Sequence, residues 1–204
     1  MTTVLRASDL CYSYAGVDVL HSVDVEVRAG RVAAIIGPNG AGKSTLIEIL
    51  AGVREPSRGV IDRVGAVALV VQRPAIPRGL PLTVRETVAM GTWGSRLSRG
   101  SARARVDHAL ERVSLAELAG RSLHALSGGQ RQRALIAQGI ARDAEILLLD
   151  EPAAGLDAAS RRRTREILAA EAERGRAIGW VTHDEEDIAV SDDLVHLADG
   201  RRVA

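Results

Sequence analysis

The sequence predicts an α/β protein with a mostly parallel core sheet, an antiparallel β part near the N-terminus and an inserted α-helical subdomain. Continuous apolar runs, which are typical of strands buried on both faces, occur at residues 31–37, 66–72 and 145–150. A stretch with helical periodicity and many arginines separates the second run from the third. This order of patterns predicts a parallel sheet whose sequence is interrupted by a helical insertion.

The length of 204 residues fits a single domain. We expect residues 1–72 and 143–204 to form its core and residues 73–142 to form the helical subdomain. The longest apolar run, residues 64–71, is too short to span a bilayer, which takes about 20 residues. Any membrane-spanning part is therefore expected on another chain.

Composition excludes few classes of protein, but it favours some over others. The formal net charge is +1, which gives no field able to hold a polyanion, so no nucleic-acid partner is expected. Cys11 is the single cysteine, so an internal disulfide is impossible and a reducing compartment is favoured.

The N-terminal part is predicted to be mainly strand. Apolar and charged residues alternate over residues 23–27, which indicates a half-buried strand. The apolar run at residues 31–37 indicates a buried strand. A helix is predicted from about Lys43 to Ala51, with Gly52 ending it.

The insertion begins with a proline-rich loop and continues with helices. Thr83 followed by Glu86 predicts a capping box that opens a short helix reaching about Met90. Ser101 is the predicted N-cap of a second helix. That helix has one apolar face, made by Val106, Ala109, Leu110 and Val113.

The C-terminal part returns to an alternation of strand and helix. A buried strand ends at Asp150, and a helix is predicted over about residues 158–174. The next strand is predicted to end at His183. A closing hairpin follows, with Asp199 and Gly200 as its turn.

The segment "GPNGAGKST" matches the pattern G-x-x-x-x-G-K-[ST] between a strand and a helix, which predicts a phosphate loop. Gly40 and Gly42 let the backbone N–H groups point at phosphate oxygens, and the helix N-terminus adds positive potential. Lys43, the one lysine among 27 basic residues, is predicted to reach the β- and γ-phosphates, and Ser44 to bind Mg²⁺. The predicted ATP-binding residues of this loop are Gly37, Pro38, Asn39, Gly40, Ala41, Gly42, Lys43, Ser44 and Thr45.

Two acids at the end of the strand "ILLLDE" predict the catalytic half of the same site. Asp150 is placed to serve Mg²⁺, which prefers oxygen ligands. Glu151 is placed to polarise an attacking water. These features alone are shared by kinases, GTPases and motor ATPases.

A second glycine pair lies in "LSGGQ", ahead of a long predicted helix. Ser127 is a good N-cap, and Gly128 and Gly129 would let a phosphate approach the exposed N–H groups, with Gln130 completing the motif.

Together these motifs resemble those of the ATP-binding cassette (ABC) ATPases, over essentially the whole chain and in the family's order. Residues 37–44 resemble the Walker A loop, residues 126–130 the signature motif and residues 146–150 Walker B, with Glu151 as catalytic carboxylate. The resemblance further assigns four single residues. These are Tyr14 (rather than the nearby Tyr12) as the aromatic that stacks on adenine, Gln72 as the Q-loop glutamine near Mg²⁺, Asp157 in the D-loop "AGLD" and His183 as the switch histidine.

The resemblance implies an ATPase that binds ATP and Mg²⁺ and works as a head-to-tail pair. In such a pair the signature motif of one copy closes over the γ-phosphate held by the other copy. The chain looks most like the ATP-binding subunits of zinc/manganese-type importers. Their partners are integral membrane permeases, docked here near residues 72–84, and an extracytoplasmic solute-binding protein. The implied location is peripheral, at the cytoplasmic face of the membrane.

Two other classes of function remain open at this point. A soluble cassette ATPase acting on DNA or ribosomes would be expected to carry a second cassette, a long coiled coil or a strong basic patch, and none is visible in the sequence. A nucleotide kinase would share the phosphate loop but gives no account of the glycine pair at Gly128 and Gly129.

Overall fold

A computed structural model describes residues 2–71 and 80–203 of the chain. Its strands are β1 (Thr3–Tyr14), β2 (Val17–Arg28), β3 (Val32–Ile36), β4 (Arg58–Arg63), β5 (Val67–Val70), β6 (Ile146–Asp150), β7 (Ala177–Val181), β8 (Asp193–Ala198) and β9 (Arg201–Val203). Its α-helices are α1 (Lys43–Ala51), α2 (Val84–Ala89), α3 (Arg99–Arg112), α4 (Gly128–Ala141), α5 (Ala158–Glu173) and α6 (Glu185–Ala189). Short 3₁₀ helices cover Met90–Thr92, Ala116–Leu118 and Leu123–Ala125.

The strands form two sheets, as the sequence predicts. The smaller sheet has the order β2-β1-β4 and is antiparallel. The larger has the order β5-β6-β7-β3-β8-β9 and is parallel except for the final β8–β9 hairpin. Asp199 and Gly200 form the turn of that hairpin, both with positive φ, which confirms the predicted turn.

Strand β4 was not predicted from the sequence. This strand carries three charged residues and a glycine in six positions, a composition that strands generally avoid. It forms nonetheless because β1 offers it a long antiparallel partner, with Ala7 paired to Ile61. Tertiary pairing here overrides local propensity.

The start of α3 differs from the prediction. Ser98, not Ser101, is its N-cap, and the Ser98 hydroxyl accepts a hydrogen bond from the Ser101 backbone N–H at 3.1 Å. Both serines satisfy the preference for a hydroxyl at this position, so composition alone does not separate them. The predicted capping box of α2, between Thr83 and Glu86, is confirmed.

Two hydrophobic clusters lie on the two faces of the parallel sheet. Because successive side chains of a strand alternate between faces, each central strand contributes to both clusters. Toward the antiparallel sheet and α1 point Ala33, Ile35, Ile146, Leu148, Ala177 and Val181. Toward α2, α3, α4 and α5 point Val32, Ala34, Leu147, Leu149, Ile178 and Trp180. The helices between β5 and β6 therefore share a continuous core with the sheet, and the predicted division into core and subdomain stays a prediction.

Small residues let the helices of the insertion approach closely. A Cβ added at Gly91, just after α2, would lie 2.1 Å from the Gln138 backbone oxygen of α4. A Cβ at Gly139 would lie 2.7 Å from the Leu147 side chain of β6. These contacts fix α4, and with it the signature segment (residues 126–130), against the sheet.

A buried ion cluster ties α3 to the core. Glu171 of α5 is 1% exposed, and its two carboxylate oxygens contact the Arg112 and Arg176 guanidinium groups at 2.9 and 3.0 Å. Burial lowers the pKa of Arg112, and the carboxylate of Glu171 opposes that shift. A buried charge needs such partners to remain ionised.

We predict that Gly91→Ala lowers the free energy of unfolding by about 1–3 kcal/mol, because the added methyl overlaps the α4 backbone. Urea denaturation followed by circular dichroism measures this. Gly120→Ala is the matched control, since a Cβ there meets no atom within 4 Å. Equal stability of the two variants would contradict the packing described here.

Candidate functional site

The predicted phosphate loop (residues 37–45) joins the end of β3 to α1 and has the backbone it needs. Gly40 and Gly42 have φ of 83° and 92°, a left-handed region that glycine adopts without steric cost. Gly42 is the N-cap of α1, and no side chain caps that helix. The N–H groups of the first turn are therefore left for an anion, as helix N-termini in phosphate sites require.

Lys43 lies inside this loop rather than in solvent. It is 7% exposed, and its ammonium donates to the backbone oxygens of Gly37 and Pro38 at 2.9 Å each. Lys43 therefore stabilises the loop by bonding two of the loop's carbonyl groups, and it keeps a positive charge at the helix N-terminus.

The two predicted magnesium ligands lie side by side. The Ser44 hydroxyl donates to the Asp150 carboxylate at 3.2 Å, across 106 residues of sequence. Burial raises the pKa of Asp150, while the hydrogen bond from Ser44 opposes that shift and the nearby Glu151 carboxylate adds to it. A hydroxyl and a carboxylate are hard oxygen donors of the kind Mg²⁺ prefers, so these residues fit that ion.

Glu151 and His183 follow neighbouring strands of the parallel sheet and line one small cleft. Glu151 has φ of 44°, unusual for a residue with a side chain, and its backbone N–H donates to the Val181 oxygen at 3.2 Å. That bond ties the end of β6 to the end of β7. Such local strain is found at functional sites. β7 ends at Val181, two residues before the position predicted from the sequence, and His183 is exposed.

The signature segment opens α4 with a capping box. Ser127 accepts from the Gln130 backbone N–H, and the Gln130 side chain accepts from the Ser127 N–H at 3.1 Å. The two glycines have different surroundings: Gly128 is exposed, whereas a Cβ on buried Gly129 would lie 2.2 Å from the Ser160 hydroxyl oxygen of α5. Packing within the chain therefore accounts for Gly129, which the sequence analysis attributed to phosphate access alone.

Within residues 2–71 and 80–203, no hydrogen bond or ion pair joins residues 127–130 to the phosphate loop. The capping bonds of the signature segment are all made inside that segment. Its exposed end is consequently available to another molecule.

The remaining predicted residues have varied surroundings. Tyr14 is 65% exposed at the end of β1. Tyr12 is partly buried against the core, and its hydroxyl accepts a hydrogen bond from the Arg54 guanidinium. Asp157 is the N-cap of α5, and the hydrogen bond from the Ser160 backbone lowers its pKa. Gln72, predicted to bind ATP and Mg²⁺, lies outside the described residues.

Some residues of the cleft were not predicted from the sequence. Thr182, Asp184, Asp187 and Arg161 of α5 line the same cleft as His183. The motif patterns do not include them, and an arginine-rich helix gives no signal that one arginine differs from the next. Asp187 is 1% exposed, and its burial could not be predicted from the sequence.

A glycine-rich loop between a parallel strand and a helix, facing an acid at the end of another strand of the same sheet, defines a P-loop nucleoside triphosphatase. The family model described as ABC transporter matches residues 20–154 of the chain. The chain belongs to this family, as an ATP-binding subunit. It binds ATP and is an ATPase.

Several relatives are similar over nearly the full chain. The zinc transport system ATP-binding protein TroB of Treponema pallidum is 36% identical, over 98% of this chain and 80% of its own length. The cobalt import ATP-binding protein CbiO of Rhodobacter capsulatus is 38% identical, over 97% of this chain and 76% of its own. The solved structure of CbiO1 from Clostridium perfringens, part of the transporter complex CbiONQ, is 28% identical with a TM-score of 0.86. It covers 100% of this chain and 88% of its own.

Across residues 2–71 and 80–203, no helix has the length and apolar character needed to cross a bilayer.

We predict that Asp150→Asn raises the melting temperature of the metal-free protein at pH 7. The folded-state pKa of Asp150 lies above its unfolded value, so the stability it contributes is greatest below the unfolded pKa. That contribution falls as pH rises through the folded pKa. Asparagine does not ionise and so avoids the cost of burying a charge. The difference in melting temperature between variant and wild type should therefore shrink as pH falls toward about 4.

Thermal denaturation in EDTA between pH 4 and pH 8 tests this. Asp62→Asn, on the exposed side of β4, is the control for the same change of charge. A wild-type protein at least as stable as Asp150→Asn at pH 7 would refute the prediction.

Proposed function

We propose that the chain is the ATP-hydrolysing subunit of a bacterial metal-ion importer of the zinc/manganese type. The observation that carries the ATP chemistry is the Ser44–Asp150 pair beside the phosphate loop. Glu151 directly follows Asp150, and His183 follows the neighbouring strand β7 in the same cleft. The proposal of metal import rests on the relatives, whose names refer to zinc and cobalt transport.

The proposed reaction is in-line attack of water on the γ-phosphorus of ATP. Lys43 and the N–H groups of the phosphate loop bind the phosphate oxygens and stabilise the charge that develops there. Glu151 accepts a proton from the attacking water, and His183 orients the γ-phosphate. Ser44 and Asp150, with Gln72, would hold Mg²⁺, which neutralises charge on the β- and γ-phosphates when bound.

The site is proposed to be completed by a second copy of the chain. The exposed N-terminus of α4, with Ser127, Gly128 and Gln130, would close over the γ-phosphate bound by the partner. A head-to-tail pair of this kind is two-fold symmetric, so both signature segments are used equally. Asp157 and Tyr14 are also proposed to bind ATP, the tyrosine by stacking on adenine.

Permease subunits in the membrane would form the transport path and an extracytoplasmic solute-binding protein would deliver the metal. The chain itself would then lie at the cytoplasmic face of the membrane.

We predict that Glu151→Gln lowers kcat for ATP hydrolysis by about 10²-fold or more, because the amide cannot accept the water proton. Phosphate release with MgATP measures the rate, and a fluorescent ATP analogue should show that binding is retained. Glu173→Gln, an exposed glutamate at the end of α5, is the control. Wild-type turnover in Glu151→Gln would remove this residue from the proposed role.

The same variant tests the cargo. Cells whose own copy of the gene is replaced by Glu151→Gln should accumulate less zinc or manganese than cells with Glu173→Gln, measured by elemental mass spectrometry. Unchanged content of zinc, manganese and cobalt, together with a lost ATPase, would overturn metal import but leave the proposed hydrolysis standing.

We predict that the Glu151→Gln protein sediments as a dimer with MgATP and as a monomer without it. Ser127→Arg on that background should abolish the dimer, because the bulky cation occupies the place of the partner's phosphate. Ser101→Arg, at an exposed position in the first turn of α3, is the matched control. Ser127→Ala separates the loss of the α4 cap from the effect of bulk. A dimer that survives Ser127→Arg would contradict the pairing in trans.

A further inference from the structure

One arginine of α5 joins two functional segments. The Arg161 Nη1 donates to the Leu156 backbone oxygen at 3.0 Å, inside the D-loop (residues 154–157). The Nε of the same guanidinium faces the Asp184 carboxylate at 3.3 Å. Asp184 directly follows His183, so a single planar group connects the D-loop to the segment that carries the histidine.

The other side of that segment is fixed to the core. The Thr182 hydroxyl donates to the Asp187 carboxylate at 2.6 Å and accepts from the Asp184 N–H at 3.2 Å. Asp187, 1% exposed, is paired with Arg165 at 2.9 Å. The backbone on both sides of His183 is therefore held, and Asp184 is the point at which it meets Arg161.

Arg161 differs from its neighbours on the helix. Arg165 is 13% exposed and pairs with the buried Asp187 carboxylate at 2.9 Å, and its guanidinium also faces the Asp184 carboxylate at 3.6 Å. Arg162 is 74% exposed and has only a 3.8 Å contact with Glu166. Arg161 is intermediate, at 37%, and it alone of the three bonds a D-loop carbonyl. Because Arg161 contacts both the D-loop and Asp184, a displacement of the D-loop would be transmitted to Asp184.

We propose that Arg161 is a positioning residue that makes the placement of His183 depend on the conformation of the D-loop. A displacement of the D-loop moves the Leu156 carbonyl, the guanidinium follows because it is rigid and planar, and the Asp184 carboxylate moves with it. The inference rests on the proposed function, in which His183 orients the γ-phosphate and a second copy approaches the signature segment. Leu156 lies next to that segment, since its side chain is 3.4 Å from the position of a Cβ on Gly128.

Amide hydrogen exchange of the full chain tests the connection without reference to activity. Asp184→Asn keeps a residue able to cap α6 but removes the charge that faces Arg161 at 3.3 Å and Arg165 at 3.6 Å. We expect the Leu156 amide to lose protection in this variant, because Asp184 is connected to Leu156 through Arg161. Arg161→Gln should reduce protection at both Leu156 and Asp184, and Arg162→Gln at neither.

Phosphate release with MgATP provides the second measurement. Arg161→Gln should lower kcat by about 10-fold with KM for ATP unchanged, as loss of an outer partner of a site residue does. The double variant with Asp184→Asn should be no slower than the slower single variant, and Arg161→Lys should recover only part of the rate. These results would indicate that both residues act through one contact.

Three results would overturn the inference. These are wild-type protection of Leu156 in Asp184→Asn, multiplicative losses of kcat in the double variant, or a melting temperature that falls in Arg161→Gln with protection lost throughout the chain. Absence of ATP hydrolysis by both wild type and Arg162→Gln would instead count against the proposed function, and the exchange result would still decide the role of Arg161.

Discussion

The candidate site depends on the parallel arrangement of β3, β6 and β7, since this places the ends of all three strands at one edge of the sheet. The Ser44–Asp150 hydrogen bond spans 106 residues of sequence and exists only because β6 and β3 are both parallel to β7, which lies between them. A one-residue change of register would turn each side chain to the opposite face. The two hydrophobic clusters, one on each face, oppose such a change and so maintain the position of the carboxylate.

The sequence was informative where local chemistry alone determines the structure. The capping box at Thr83 and the N-cap at Ser127 follow from residue type and spacing, because their hydrogen bonds are made within a few residues. The phosphate loop follows from its glycine pattern, and the buried strands follow from their continuous apolar runs. The sequence analysis did not identify β4, since that strand depends on its long-range partner β1. It also placed the α3 cap three residues late, because two serines satisfied the same local rule.

The same limit applies to the residues of the site. Residues that belong to local sequence motifs were predicted, whereas residues brought to the site by contacts distant in sequence were not. Gly129 illustrates this: its pattern pointed to a phosphate, and the structure adds a contact with Ser160 of α5 that a sequence motif cannot reveal. The same glycine can therefore meet a packing requirement within the chain and a binding requirement between chains.

These contacts form a continuous physical path across the molecule. Gly128 borders the Leu156 side chain, the Leu156 carbonyl accepts from Arg161, Arg161 faces Asp184, and Asp184 adjoins His183. The steps are close packing beside Gly128, one hydrogen bond, one ion pair and the chain itself between Asp184 and His183. The D-loop lies in the middle of this path, because Leu156 borders the exposed signature segment and Ala154 and Gly155 line the cleft with Glu151 and His183.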